Sequence, residues 1–320
     1  MYLDHIHMAS GSVRVIRKFL GIVILGMVCG GSIAQAEPLR IVTSIPDLAD
    51  FVREVGGDLV SVTSISTGVE DPHSVPLKPS FLPLLNRADL VVVVGLDLEH
   101  AYMPALIEAS RNPKIQPGGP AYLEVATGIT PIDRPASLDR SLGELHPLGN
   151  PHINLDPELA PQILRNITVG LMELAPQHKK QFQSNAERFG RSLQGALERW
   201  RTLGATLKGV AVVSYHSDFS YFLARYGLVQ VGTIELRPGI EPTTRHLEEL
   251  VRQMRVANAR IVLREPYVSR RIPDQVAAAV DGVVVTLPIM VGGVKEAGTY
   301  IQMMDYLLDS LTAAAAGRKR

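Results

Sequence analysis

Cysteine is almost absent: among 320 residues there is one, Cys29. A lone cysteine excludes an intramolecular disulfide framework and any thiolate-based zinc cluster. A metal site in this chain must therefore use imidazole, carboxylate or water. An excess of either charge is also missing, with 32 Lys and Arg against 32 Asp and Glu. That balance gives no electrostatic reason to expect nucleic acid or a polyanionic surface as partner. Recognisable catalytic signatures are lacking too, since neither H-E-x-x-H nor G-x-S-x-G occurs. Long apolar runs are confined to one place, "FLGIVILGMVCGGSIA" at 19–34.

That run follows Arg14, Arg17 and Lys18 and ends at "AQA" before Glu37. A basic stretch, an apolar stretch and a small-x-small site make a secretory signal peptide over residues 1–36, cleaved after Ala36. The alternative is an uncleaved anchor, but the run is short against the roughly 20 apolar residues a span requires. Cys29 follows Met27 and Val28, whereas a lipid-modified cysteine normally follows a small residue. The expectation is a soluble exported protein in a periplasm, lipid anchoring being the alternative. The mature chain then has no cysteine.

The whole sequence is 46% hydrophobic and 20% charged, and its length is enough for two medium domains with cores of their own. Strand-like runs at 39–45, 59–66, 90–96 and 121–126 alternate with helical patterns at 46–57, 80–89 and 99–110. "LVVVVGL" is continuous and β-branched, the mark of a strand buried on both faces of a parallel sheet. Ser80 is placed to cap one helix, and Asp156–Pro157–Glu158 to start another. From Pro176 to Leu203, Phe182, Ala186, Phe189, Leu193, Leu197 and Trp200 recur at helical spacing. The alternation then restarts with strands at 209–215, 228–234, 259–265 and 282–287. It includes a capped helix from Thr243 or Thr244 and a last helix over 299–315. The fold expected is α/β: two lobes with parallel sheets (37–175 and 205–320) joined by a long helix (176–204).

Three histidines occupy similar places. His73 lies between prolines in "DPHSVPLKPS" after a strand; His152 lies in "NPHINLDP", closing the proline-rich connection 127–151; His216 follows a strand in "GVAVVSYHSD". Glu265 closes the strand in "LREPY". Ligands in open parallel sheets bind outside the carboxyl ends of strands, so this set can converge between the lobes on one divalent ion. Zinc accepts such a four-donor set, and imidazole also suits copper and nickel.

These segments, in this order, resemble the metal-binding family of periplasmic substrate-binding proteins of ABC importers, its zinc receptors in particular. The resemblance covers nearly all of the mature chain. It implies two α/β lobes held by a long helix, with a metal in the cleft and His73, His152 and His216 as ligands. Manganese-type relatives carry a carboxylate at the third position, so His216 favours zinc over manganese or another divalent transition metal. It also implies an ABC permease as partner and a monomeric carrier that is not an enzyme.

Two departures stand out. Zinc receptors of the family usually take a fourth ligand, an aspartate, after a late strand, but "VVVTLPIMVGG" at 283–293 has no carboxylate. Glu265 or a water is left to fill the position, with Glu235, after another strand, as an outside candidate and Asp281 on the wrong side of its strand. The connection 127–151, rich in histidine in many relatives, holds only His146 besides none other before residue 150. It is a fourth ligand, a ligand at the mouth of the site, or a loop residue. His100, His178 and His246 read as surface residues, and Tyr215 and Tyr221 as packing. The rival class is an exported zinc hydrolase with a three-histidine site. Ser214, His216 and Asp218 lie close in sequence, but adjacency does not build a triad.

Overall fold

Two sheets with the same strand order organise the chain, and in each the first strand lies inside. The computed structural model describes residues 37–135, 146–235 and 240–317. The expected leader and residues 136–145 of the long connection lie outside the described residues. In the first sheet β1 (Leu39–Thr43), β2 (Val60–Ser64), β3 (Leu90–Val93) and β4 (Tyr122–Glu124) run parallel in the order β2-β1-β3-β4. In the second, β5 (Ala211–Ser214), β6 (Val229–Thr233), β7 (Ile261–Arg264) and β8 (Val283–Thr286) run parallel as β6-β5-β7-β8.

Helices α1 (Pro46–Gly56), α2 (Phe81–Asn86), α3 (Met103–Ser110) and α4 (Ala160–Leu174) belong to the first lobe. Helices α6 (Ser220–Tyr226), α7 (Thr244–Val256), α8 (Arg271–Ala278) and α9 (Tyr300–Ala315) belong to the second. All four β3 residues are buried, as a β-branched inner strand demands. Thr243 caps α7 by accepting from the His246 N–H, and Thr299 caps α9 by accepting from that of Gln302.

Two expected helix starts differ. The Ser80 side chain makes no capping bond, because its backbone is already helical. Helix α4 begins at Ala160, after a turn over 156–159 that Asp156 does cap: its Oδ1 accepts from the Glu158 N–H at 3.0 Å, while the carboxylate also accepts both Arg225 guanidinium bonds, at 2.7 and 2.6 Å.

Helix α5 (Lys179–Ala205) spans 27 residues, about 40 Å at the α-helical rise. It packs on α1 and α4 at one end and on α9 and α6 at the other. Phe182, Phe189, Leu193, Leu197 and Trp200 form its buried stripe, with Ala186 partly buried. Polar bonds fix its register at both ends. Asn185 Nδ2 donates to Val55 O at 2.9 Å, and Trp200 Nε1 to Asp305 Oδ1 at 2.6 Å. The larger core runs without a break from α1 through α5 to α9, while a smaller one lies under α7 and α8.

Loops also join the lobes where the strands end. Asp47 accepts from Asn154 Nδ2 and from the Val291 N–H, both at 2.9 Å, and Asn154 also donates to Ile289 O at 2.8 Å. The segment after β8 is therefore apolar and buried, with Leu287, Ile289, Met290 and Val291 inside. No described helix is long and apolar enough to cross a membrane.

Candidate metal centre

The turn after β2 places His73 with its ring already oriented. Asp71 Oδ1 accepts from the His73 backbone N at 2.9 Å and lies 3.0 Å from the ring Nδ1. An ionised carboxylate only accepts, so Nδ1 carries the proton of that bond. Nε2 is buried and has no hydrogen-bond partner.

His152 precedes the single turn Ile153–Leu155. Its N–H donates to Asn150 Oδ1 at 3.0 Å, and Asn154 beside it is held by Asp47. His216 follows β5, with Nδ1 3.1 Å from Oε2 of Glu235, which closes β6. Both rings turn Nε2 toward one oxygen. Asp218 Oδ1 lies 3.1 Å from Nε2 of His152 and 3.3 Å from Nε2 of His216. Those distances match the edge of a tetrahedron of donors around zinc, about 3.3 Å for bonds of about 2.0–2.1 Å.

Asp218 is fully buried, and its Oδ2 accepts from the Tyr267 hydroxyl at 3.1 Å. Oδ1 meets only the two imidazoles. One donor atom from each of His73, His152 and Asp218 falls within 4.8 Å of the others, and all three residues are buried. His216 lies at the margin of this group, its ring centroid 6.0 Å from that of His73, against 4.9 Å for His152.

Two other predicted residues stand nearby. The His146 ring lies 5.0 Å from that of His73, and its buried Nδ1 has no partner. It also lines a cavity of roughly 490 Å³ with Asp133, Asn150 and Ser217. Glu265 is fully buried with both oxygens lacking hydrogen bonds, yet it is not among the converging donors. The converging carboxylate is Asp218, which the sequence reading had set aside as a mere neighbour of His216. Its signal was indirect: an acid two residues after a strand-end histidine, in a chain whose late-strand loop has lost its acid.

Burial and charge oppose each other throughout. Burial by itself lowers the His73 imidazole, but the hydrogen bond to Asp71 and the Asp218 charge raise it above its ordinary value. For His216 burial is likewise outweighed, by Asp218 and Glu235, and the ring is pushed up to about 10. Burial prevails at His152, which is lowered, and at His146, lowered to about 3 with His73 adding repulsion. Burial alone would raise Asp218, yet His216 and His152 hold it well below the usual carboxylate range. Glu265 is raised to about 8 by burial and then by Asp218.

Several other polar groups around the site are engaged. Tyr221, expected as packing, donates to Asn150 O at 3.0 Å and accepts from the Ile132 N–H at 3.3 Å, tying α6 to the connection before His152. Ser214 donates to His216 O at 2.5 Å, so its hydroxyl is turned away from service as a nucleophile. The His246 ring is 2.9 Å from Thr233 O, and His100 is exposed with Nδ1 2.8 Å from Asp97 O.

The family model for ZnuA, described as zinc-uptake complex component A, periplasmic, matches residues 41–314. The chain is 23% identical over 291 residues to the high-affinity zinc uptake system protein ZnuA of Bacillus subtilis, covering 88% of this chain and 89% of that one. It is 22% identical over 311 residues to the manganese ABC transporter substrate-binding lipoprotein PsaA of Streptococcus mitis, covering 93% and 96%. A solved structure of a zinc-bound ZnuA deletion mutant superposes with a TM-score of 0.74 at 26% identity, covering 88% of this chain and 99% of that one.

Proposed function

The chain belongs to the zinc-uptake complex component A family, and from that premise we propose how it works: it captures zinc outside the inner membrane and hands it to an ABC permease. Like other substrate-binding components, it carries its ligand without transforming it. It acts as a monomeric receptor in the periplasm, with lobes 37–175 and 205–320 held apart by the helix over 176–204. The hydrolase alternative has no support: a zinc hydrolase keeps an open position where the metal activates water, which on this reading Asp218 fills.

His73, His152 and His216 hold the ion through Nε2, and Asp218 Oδ1 completes four donors. The observation that carries this reading is the convergence of two imidazoles and a carboxylate, all buried, with His73 Nε2 left without a hydrogen bond. A buried polar atom without a partner is costly, and a bound cation would satisfy it. Asp71 and Glu235 sit on the opposite nitrogens of His73 and His216, the carboxylate–histidine arrangement that orients metal ligands.

Asp218 takes the place of the aspartate missing from 283–293. Glu265 supports the site from behind as a buried carboxyl, and His146 covers His73 on the cavity side. Three nitrogens and one oxygen favour zinc, whereas manganese prefers oxygen-rich octahedra. The test is zinc and manganese affinity of the single variants His73→Ala, His152→Ala and His216→Ala. Unchanged zinc affinity in any of them removes that residue from the site.

A further inference from the structure

We propose that Tyr267 sets the selectivity of the site by restricting Asp218 to a single donor oxygen; this rests on the zinc-receptor reading above. Tyr267 follows β7 in the run Glu265–Pro266–Tyr267, and its ring packs against the larger core. Its hydroxyl donates to Oδ2 of Asp218 at 3.1 Å. The two carboxylate oxygens therefore have different tasks. Oδ2 is engaged by a phenol, while Oδ1 alone faces His152 and His216.

A carboxylate is able to ligate through one oxygen or both. Bidentate binding adds a donor, which suits ions that accept more than four ligands through oxygen, manganese among them. Zinc in a closed site takes four. With Oδ2 occupied, Asp218 supplies one oxygen and the count stops at four. The choice matters more here than in a site whose aspartate comes from a different strand end. Asp218 lies two residues from His216 on the same turn, so it has little freedom to withdraw as a unit. Pro266, beside Tyr267, restricts the backbone that presents the hydroxyl.

Tyr267 is a positioning residue, acting through Asp218. Tyr267→Phe removes only the hydroxyl and keeps the packed ring, so the fold is retained, which thermal unfolding of the metal-free protein checks. Zinc and manganese affinities are measured by chelator competition, with cobalt(II) as a spectroscopic stand-in for zinc. Wild type is expected to bind one zinc and to give the intense visible bands of four-coordinate cobalt. In Tyr267→Phe the zinc-to-manganese affinity ratio is expected to fall about tenfold, and the cobalt bands to weaken as a fifth donor enters.

An unchanged ratio with unchanged cobalt bands in Tyr267→Phe overturns the inference while leaving the zinc site intact. A loss of zinc and manganese affinity by the same factor, with four-coordinate cobalt bands, also overturns it, because the hydroxyl then serves structure alone. If wild type binds no zinc, or Asp218→Asn binds it as wild type does, the site reading itself has failed and this inference falls with it.

Discussion

Asp71 holds His73 by two bonds to one oxygen, from the backbone N at 2.9 Å and at ring Nδ1 at 3.0 Å. The tripeptide from Asp71 to His73 is thus a closed clip that fixes which nitrogen is left for an ion. Replacing Asp71 by alanine is expected to weaken zinc binding by about 10–100-fold, the usual cost of losing an outer carboxylate behind a ligating histidine. Competition with a chelator of known affinity measures it, and little change in the unfolding midpoint of the metal-free protein is expected.

Zinc binding should release protons at neutral pH. In the metal-free protein His216 is pushed up to about 10, so its ring carries a proton at pH 7 that the ion must displace, and His73, raised by Asp71 and Asp218 against its burial, adds to the release. His152 is lowered and contributes none there. The logarithm of the affinity should rise with pH between 6 and 8 with a slope of at least about 1, the proton of His216. Calorimetry in buffers of different ionisation enthalpy counts the protons directly. The sign for stability is opposite. Without zinc, the charged His216 stabilises the fold fully below its ordinary value, about 6.5, and that contribution is lost as pH rises through about 10.

Gly68 is a contact point between the lobes. A Cβ there would lie 2.3 Å from Val291 O and 2.4 Å from both the Gly292 C and the Gly293 N. All three are backbone atoms, so Gly68→Ala must part the two loops. A destabilisation of about 1–3 kcal/mol is expected from such overpacking. Zinc affinity should fall as well, because the same loop carries His73. Urea unfolding and zinc titration on one sample read both effects.

Asp47 joins α1 to the turn after His152 and to the segment after β8. Asp47→Ala leaves the Val291 N–H buried without a partner and removes one of the two acceptors of Asn154. The expected loss is about 1–3 kcal/mol for the orphaned group. Chemical denaturation of the metal-free protein measures it.

The strands were legible because parallel inner strands are apolar on both faces, as Leu90–Val93 is, and α5 because Phe182 through Trp200 keep one buried stripe. The start of α4 lies four residues later than the Asp156 cap suggests, because that cap closes a separate turn over 156–159, and its tie to Arg225, 69 positions away, is not written locally. The three histidines were legible from their places after strands and before a helix. Asp218 was hidden by its closeness to His216. Whether such an acid faces solvent or a buried site depends on how the turn after β5 bends, and on Tyr267, which sequence leaves far from it. Likewise Glu235, an outside candidate for the fourth ligand from sequence, is set by β6 beside Nδ1 of His216 instead.

The central claim is that Asp218 completes a zinc site with His73, His152 and His216. Zinc titration of the metal-stripped protein and its Asp218→Ala variant against a chelating indicator tests it most directly. The account predicts one tightly held zinc per chain in the wild type. In the variant it predicts a loss of more than about 100-fold, beyond the cost of an outer-shell partner. Equal affinities in the two proteins would contradict it.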